Sequence, residues 1–122
     1  TDPQRPRARP LHATLARLVR GRVNERFIAG QMRHGPRGAA ELAETVDRLF
    51  AFAHTTGAVD SALFDLLYDA YLADAAVREF LQRENAAAAR AIATRFAQAR
   101  QRSLWHPRRN DVDALLMLEA AP

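Results

Sequence analysis

The chain has 122 residues, enough to bury one modest core, and no cysteine, which excludes disulfides, thiolate metal sites and a cysteine nucleophile. All 18 basic residues are arginine, and a net charge of +4 hides a strong asymmetry. Residues 1–40 hold nine arginines against Asp2 and Glu25 (+7), residues 41–90 hold four against nine acids (−5), and residues 91–122 hold five against three (+2). A basic front end beside an acidic middle predicts electrostatic contact, either within the chain or with a partner. The uniform choice of arginine, with abundant alanine, matches the codon usage of a GC-rich genome and does not by itself argue for phosphate binding. No apolar run approaches the roughly 20 residues of a membrane span, and the first residues lack the apolar core of a signal peptide. A soluble, cytoplasmic protein is therefore expected. The chain begins at Thr1 without an initiator methionine, which fits a processed chain or a piece of a longer one.

Taken in order, TDPQRPRARP has three prolines and three arginines and no apolar period, so residues 1–10 read as an extended basic arm or linker. Residues 11–122 are then expected to form a single helical domain. From Leu11 the spacing turns helical, with Leu11, Leu15, Leu18 and Val19 on one face, and Gly21 weakens the end of that helix. Asn24 is placed to cap a short second helix carrying Phe27, Ile28 and Met32, with Gly35 and Pro36 as its stop. The third helix is the clearest: Leu42, Val46, Leu49, Phe50 and Ala53 recur at spacings of three and four, and Gly57 supplies a C-terminal stop. Asp60 is the expected N-cap of SALFDLLYDAYL, whose inward stripe reads Leu63, Leu66, Leu67, Ala70 and Tyr71. Asp74 repeats the device before Val77, Phe80 and Leu81, and Asn85 caps a long segment with Ala89, Ile92, Phe96 and Ala99 in register. Trp105, His106 and Pro107 break the pattern, and Asp111 is a cap for a last helix with Leu115, Leu116 and Leu118. No segment shows a period of two between hairpin turns, so the expected fold is all-α, a compact bundle of six or seven short to medium helices.

Few residues point to chemistry. The stretch MRHGPRG brings Arg33, His34 and Arg37 to the start of a helix, where backbone amides favour an anion, but it lacks the lysine and hydroxyl of a P-loop and follows no strand. A hinge between helices explains the same glycines and proline. His12, His34, His54 and His106 are too scattered for a metal pair, and Asp65, Asp69 and Asp74 read as a solvated face, so no metal site is expected. His54 stands where a helix is expected to end, so even when charged it need do no more than interact with the helix dipole. Tyr68, Tyr71 and Trp105 are spaced like core or interface anchors. The arginine-rich arm reads as a tether, since neither a recognition helix nor a ladder of aromatics accompanies it. No catalytic constellation emerges from these spacings.

Read together and in order, FIAGQMRHGPRGAAELAETVDRLFAFAHTTGAVD, FDLLYDAYLAD, VREFLQREN and SLWHPRRN resemble the extreme C-terminal region of the large subunit of the aerobic, ATP-dependent cobalt chelatase. The homologous magnesium chelatase subunit shares a looser version. The likeness runs from about Leu11 to Leu116 and is carried by Met32, His34, Gly35, Gly38 and Ala39, by Thr56, Gly57, Ala58 and Val59, by Tyr71 and Asp74, and by Leu104 and Trp105. It departs at Pro36, where the family usually has tyrosine, at Ala86, commonly proline, and at Phe27, often tryptophan. The resemblance implies a C-terminal piece of a much longer subunit that takes part in inserting Co²⁺ into hydrogenobyrinic acid a,c-diamide. Its implied partners are the rest of the large subunit, an AAA+ ATPase and a second partner subunit, with ATP and Mg²⁺ used by the whole complex and no cofactor held by this segment. On that reading the segment is scaffold or cavity wall, without catalytic residues of its own, and His34, Arg33, Arg37 and then His54 are the candidates to face tetrapyrrole carboxyl or amide groups. The alternatives are the magnesium chelatase subunit acting on protoporphyrin, and a stand-alone helical interaction or nucleic-acid-binding module.

Overall fold

The computed structural model describes residues 13–57 and 61–107. Its elements are α1 (Ala13–Arg22), α2 (Glu25–Met32), α3 (Gly35–Thr56), α4 (Ser61–Tyr68), α5 (Ala75–Glu84) and α6 (Ala86–Gln101), with a π-helical turn, Asp69–Ala73, between α4 and α5. No strand occurs among the described residues, and the all-α expectation holds. The basic arm, Leu11, His12, the Ala58–Val59 break with its Asp60 cap, and the helix expected after Asp111 lie outside the described residues.

The caps are local and fall where side-chain chemistry puts them. Asn24 Oδ1 accepts from the Arg26 amide at 2.7 Å, Asp74 Oδ1 from Val77 at 3.2 Å and Asn85 Oδ1 from Ala88 at 3.1 Å. Each satisfies one of the amides a helix start leaves unpaired. Gly57 ends α3 in the left-handed region (φ 70°), and its amide reaches back to the carbonyls of Ala53 and His54.

The helix α3, 22 residues and so about 33 Å long, is the axis of the bundle. It buries Ala39, Leu42, Val46, Leu49, Phe50 and Ala53 and packs against α1, α2, α5 and α6. Buried Thr45 is satisfied within the helix, its hydroxyl donating to the Glu41 carbonyl at 2.8 Å. At one end of the core, Phe50, Phe64, Tyr68, Phe96 and Trp105 form a ring cluster with centroids 4.9–6.5 Å apart, several pairs edge to face. Such pairs contribute about 0.5–1.5 kcal/mol each beyond burial. Trp105 reaches this cluster because Ser103, at φ 59°, turns the chain back after α6 and lets the Leu104 amide donate to the Ala99 carbonyl at 2.9 Å.

The structure changes three local expectations. Gly35 and Pro36 do not stop α2; they open α3, with Gly35 at φ 57° and Pro36 in the first turn, where its missing N–H costs nothing. The break between α2 and α3 is only Arg33 and His34. Leu66 is 42% exposed and Leu18 39%, while the inward side of α4 is Leu63, Phe64, Leu67 and Tyr68. Gly21 sits in the last turn of α1, which ends at Arg22, as expected of a glycine that weakens a helix end.

Candidate functional site

The close passage of α2 against α3 shapes the Arg33–His34–Arg37 turn. A Cβ at Gly38 would stand 1.7 Å from the Gln31 carbonyl oxygen, so only glycine lets the start of α3 lie against the end of α2. The His34 amide donates to the Gln31 carbonyl at 3.0 Å, and the His34 carbonyl accepts from Gly38 at 3.4 Å. The His34 imidazole makes no cap hydrogen bond, and Arg33, His34 and Arg37 are all exposed. The turn abuts the α5–α6 corner, where Asn85 Nδ2 donates to the Pro36 carbonyl at 3.5 Å and Glu84, paired with Arg83 at 3.4 Å, stands beside Gly35. The arginines and His34 are thus brought together at the start of α3, with a carboxylate close by.

His54 is at the other end. Twenty residues along α3 separate it from His34, about 30 Å, so the two histidines cannot serve one site. His54 lies instead on the rim of an open cleft of about 270 Å³, floored by Phe50, Leu63, Phe64 and Leu104 and edged by Arg95, Gln98 and Arg102. Arg95 is held there by Asp47 at 2.7 Å. Sequence reasoning missed these α6 residues, although their spacing of three and then four places them on one stripe of that helix. A cleft of this size falls below the roughly 300–1,000 Å³ of pockets that enclose a drug-sized ligand. It can supply a wall and does not enclose a macrocycle.

The remaining candidates are taken up by the fold. Asp65 Oδ1 accepts the indole N–H of fully buried Trp105 at 2.8 Å, and Asp74 caps α5. Tyr71, also fully buried, donates its hydroxyl to the Arg22 carbonyl at 2.8 Å, which ties the π-helical turn to the end of α1. Burial pushes the Tyr71 phenol well above its ordinary value, with the Arg22 charge opposing more weakly. No group of three or more metal-ligating side chains converges among the described residues, and no helix among them is long and apolar enough to cross a membrane.

An arginine-flanked turn at one end of α3 and an apolar-floored cleft at the other are the candidate features, and the sequence comparisons give the family. The chain belongs to the CobN/magnesium chelatase family, whose pattern matches residues 1–112. It is 46% identical over 109 residues to the aerobic cobaltochelatase subunit CobN of a Sinorhizobium species and 48% identical over 106 residues to that of Pseudomonas aeruginosa. These matches cover 88% and 86% of this chain but 8% of each relative. The corresponding magnesium-chelatase subunit of Rhodobacter capsulatus is 31% identical over 114 residues, 93% of this chain and 9% of that protein. Among solved structures, the catalytic subunit of cobaltochelatase from Mycobacterium tuberculosis superposes with a TM-score of 0.78 at 35% identity, over 85% of this chain and 9% of that one.

Proposed function

We propose that this chain is the C-terminal helical segment of a cobaltochelatase large subunit. In this reading it serves as scaffold and as one wall of the tetrapyrrole site, while the complete complex inserts Co²⁺ into hydrogenobyrinic acid a,c-diamide at the expense of ATP in cobalamin biosynthesis. The observation that carries this reading is the gap in identity, 46–48% to the cobaltochelatase subunits against 31% to the magnesium-chelatase relative. Insertion requires stripping water from the cation, distorting the macrocycle and removing its inner N–H protons, which calls for an enclosed site with bases. A bundle whose core is filled by its own aromatic rings supplies rigidity to such a site, and the enclosure and the bases come from elsewhere in the complex.

Within this segment, His34 with Arg33 and Arg37 is the candidate contact to the carboxyl and amide groups of the corrin precursor, because all three are exposed at one turn. His54, at the far end of α3, ranks second. The rest of the large subunit, an AAA+ ATPase and a further subunit are the expected partners, in the cytoplasm. The test is chelatase activity and tetrapyrrole affinity of the complete complex carrying His34→Ala and Arg37→Ala. Weaker binding of the corrin precursor is expected, and unchanged activity together with unchanged affinity would refute the contact. Preference of the intact subunit for protoporphyrin over the corrinoid would instead support the magnesium branch.

A further inference from the structure

The cleft at His54 gathers hydrogen-bond donors that the fold does not use. His54, Arg95, Gln98 and Arg102 edge it, and none of its lining residues is acidic. Arg95 is committed through Nε alone, which donates to Asp47 Oδ1 at 2.7 Å. That bond orients the guanidinium and leaves its two terminal amino groups, a pair able to grip a carboxylate end-on, without a partner among the described residues. The side chains of His54, Gln98 and Arg102 make no hydrogen bond or ion pair among those residues either. Two helix C-termini reach this end of the bundle, and free carbonyls there would oppose an anion. They are taken: Ala51 and Phe52 accept from the Thr55 and Thr56 hydroxyls, Ala53 and His54 from the Gly57 amide, and Gln98, Ala99 and Arg100 from the amides of Arg102, Leu104 and Ser103.

Charge and volume then select the occupant. With Asp47 set against Arg95 and His54 neutral, the rim keeps one positive charge, that of Arg102, which matches one carboxylate and is a poor match for a polyanion. Arg95 and Arg102 stand seven residues apart on one stripe, about 10 Å along the axis, a span that two arginine side chains can close over one carboxylate. The floor includes the rings of Phe50 and Phe64, edge to face with centroids 4.9 Å apart. An apolar cavity of about 150 Å³ holds one benzene ring. At about 270 Å³ this cleft has room for two fused rings. We propose that it binds a small aromatic carboxylate, with the acid group between Arg95 and Arg102 and the rings against Phe50 and Phe64. The site lies about 30 Å from His34 and does not depend on the corrin contact proposed there.

The test uses the 122-residue chain and 2-naphthoate, followed by the anisotropy of its own fluorescence, with 2-naphthalenemethanol as the uncharged counterpart. Arg95→Gln/Arg102→Gln, at two exposed positions, should weaken naphthoate binding about 10-fold and leave the alcohol's binding unchanged. Ala51→Phe keeps both arginines and places a ring in the cleft from an exposed position, so it should abolish binding of both probes. Arg90→Gln, on the opposite side of α6, should alter naphthoate binding by less than about twofold. Absence of naphthoate binding at millimolar concentration, or its survival in Ala51→Phe, would overturn the proposal. Equal losses from Arg90→Gln and the double variant would reduce the effect to bulk charge and overturn it as well.

Discussion

Gly38 and Gly30 should respond to the same substitution with opposite signs. In a helix, glycine is about 0.8–1 kcal/mol worse than alanine, so each Gly→Ala change begins with a gain of that size. At Gly30 in α2 a Cβ meets nothing within 4 Å, and the gain stands alone. At Gly38 the Cβ would sit 1.7 Å from the Gln31 carbonyl oxygen and 2.7 Å from its carbon, against a floor of about 3.0 Å for such contacts. The obstacle is backbone, so α2 must lift away from α3 by more than 1 Å, opening the contact that buries Ile28 and Ala39. Overpacking of this kind costs about 1–3 kcal/mol or more, which exceeds the helix-propensity gain. A melting temperature several degrees below wild type is expected for Gly38→Ala and several degrees above it for Gly30→Ala, at roughly 4 °C per kcal/mol for a chain of this length. Thermal denaturation followed by circular dichroism makes the comparison. If Gly38→Ala proves as stable as Gly30→Ala, the close approach of the two helices is wrong.

Asp65→Ala strands the N–H of the chain's single tryptophan and should cost about 1–3 kcal/mol in urea unfolding, with a red-shifted Trp105 emission, whereas Asp65→Asn, which keeps an acceptor, should recover most of the loss. Tyr71→Phe leaves the Arg22 carbonyl without its donor and should destabilise by about 1 kcal/mol at neutral pH. The Tyr71 phenol is held protonated in the folded state above its ordinary pKa near 10, so unfolding releases its proton once the pH passes about 10. Stability should therefore fall through that range, and fall less steeply in Tyr71→Phe. Asp74→Ala removes the cap of α5 and should cost about 1 kcal/mol in the same denaturation assay.

The caps at Asn24, Asp74 and Asn85 and the stop at Gly57 were legible because each is a bond between a residue and its immediate neighbours. The inward face of α3 was legible for a similar reason: over 22 residues the period of 3.6 leaves little ambiguity. In the eight-residue α4 a face can be drawn more than one way, and only packing against Phe50, Phe96 and Trp105 made Phe64 and Tyr68 inward and Leu66 outward. Gly35 and Pro36 are equally good punctuation for the end of one helix or the start of the next, and the choice fell on α3 because α2 had already closed at Met32.

The candidate site divides in the same way. Arg33, His34 and Arg37 could be gathered from the sequence because they lie within five residues of one another. The cleft at His54 could not, since Phe64, Arg95, Arg102 and Leu104 come from parts of the chain that meet only in the folded bundle. Helical class, caps and the ordered family motifs were therefore already present in one dimension, where interactions between near neighbours decide the outcome. The pairing of Arg95 with Asp47, which leucines face water, and the 30 Å that keeps His34 and His54 apart were decided by tertiary packing, because burial and ion pairing depend on residues far away along the chain.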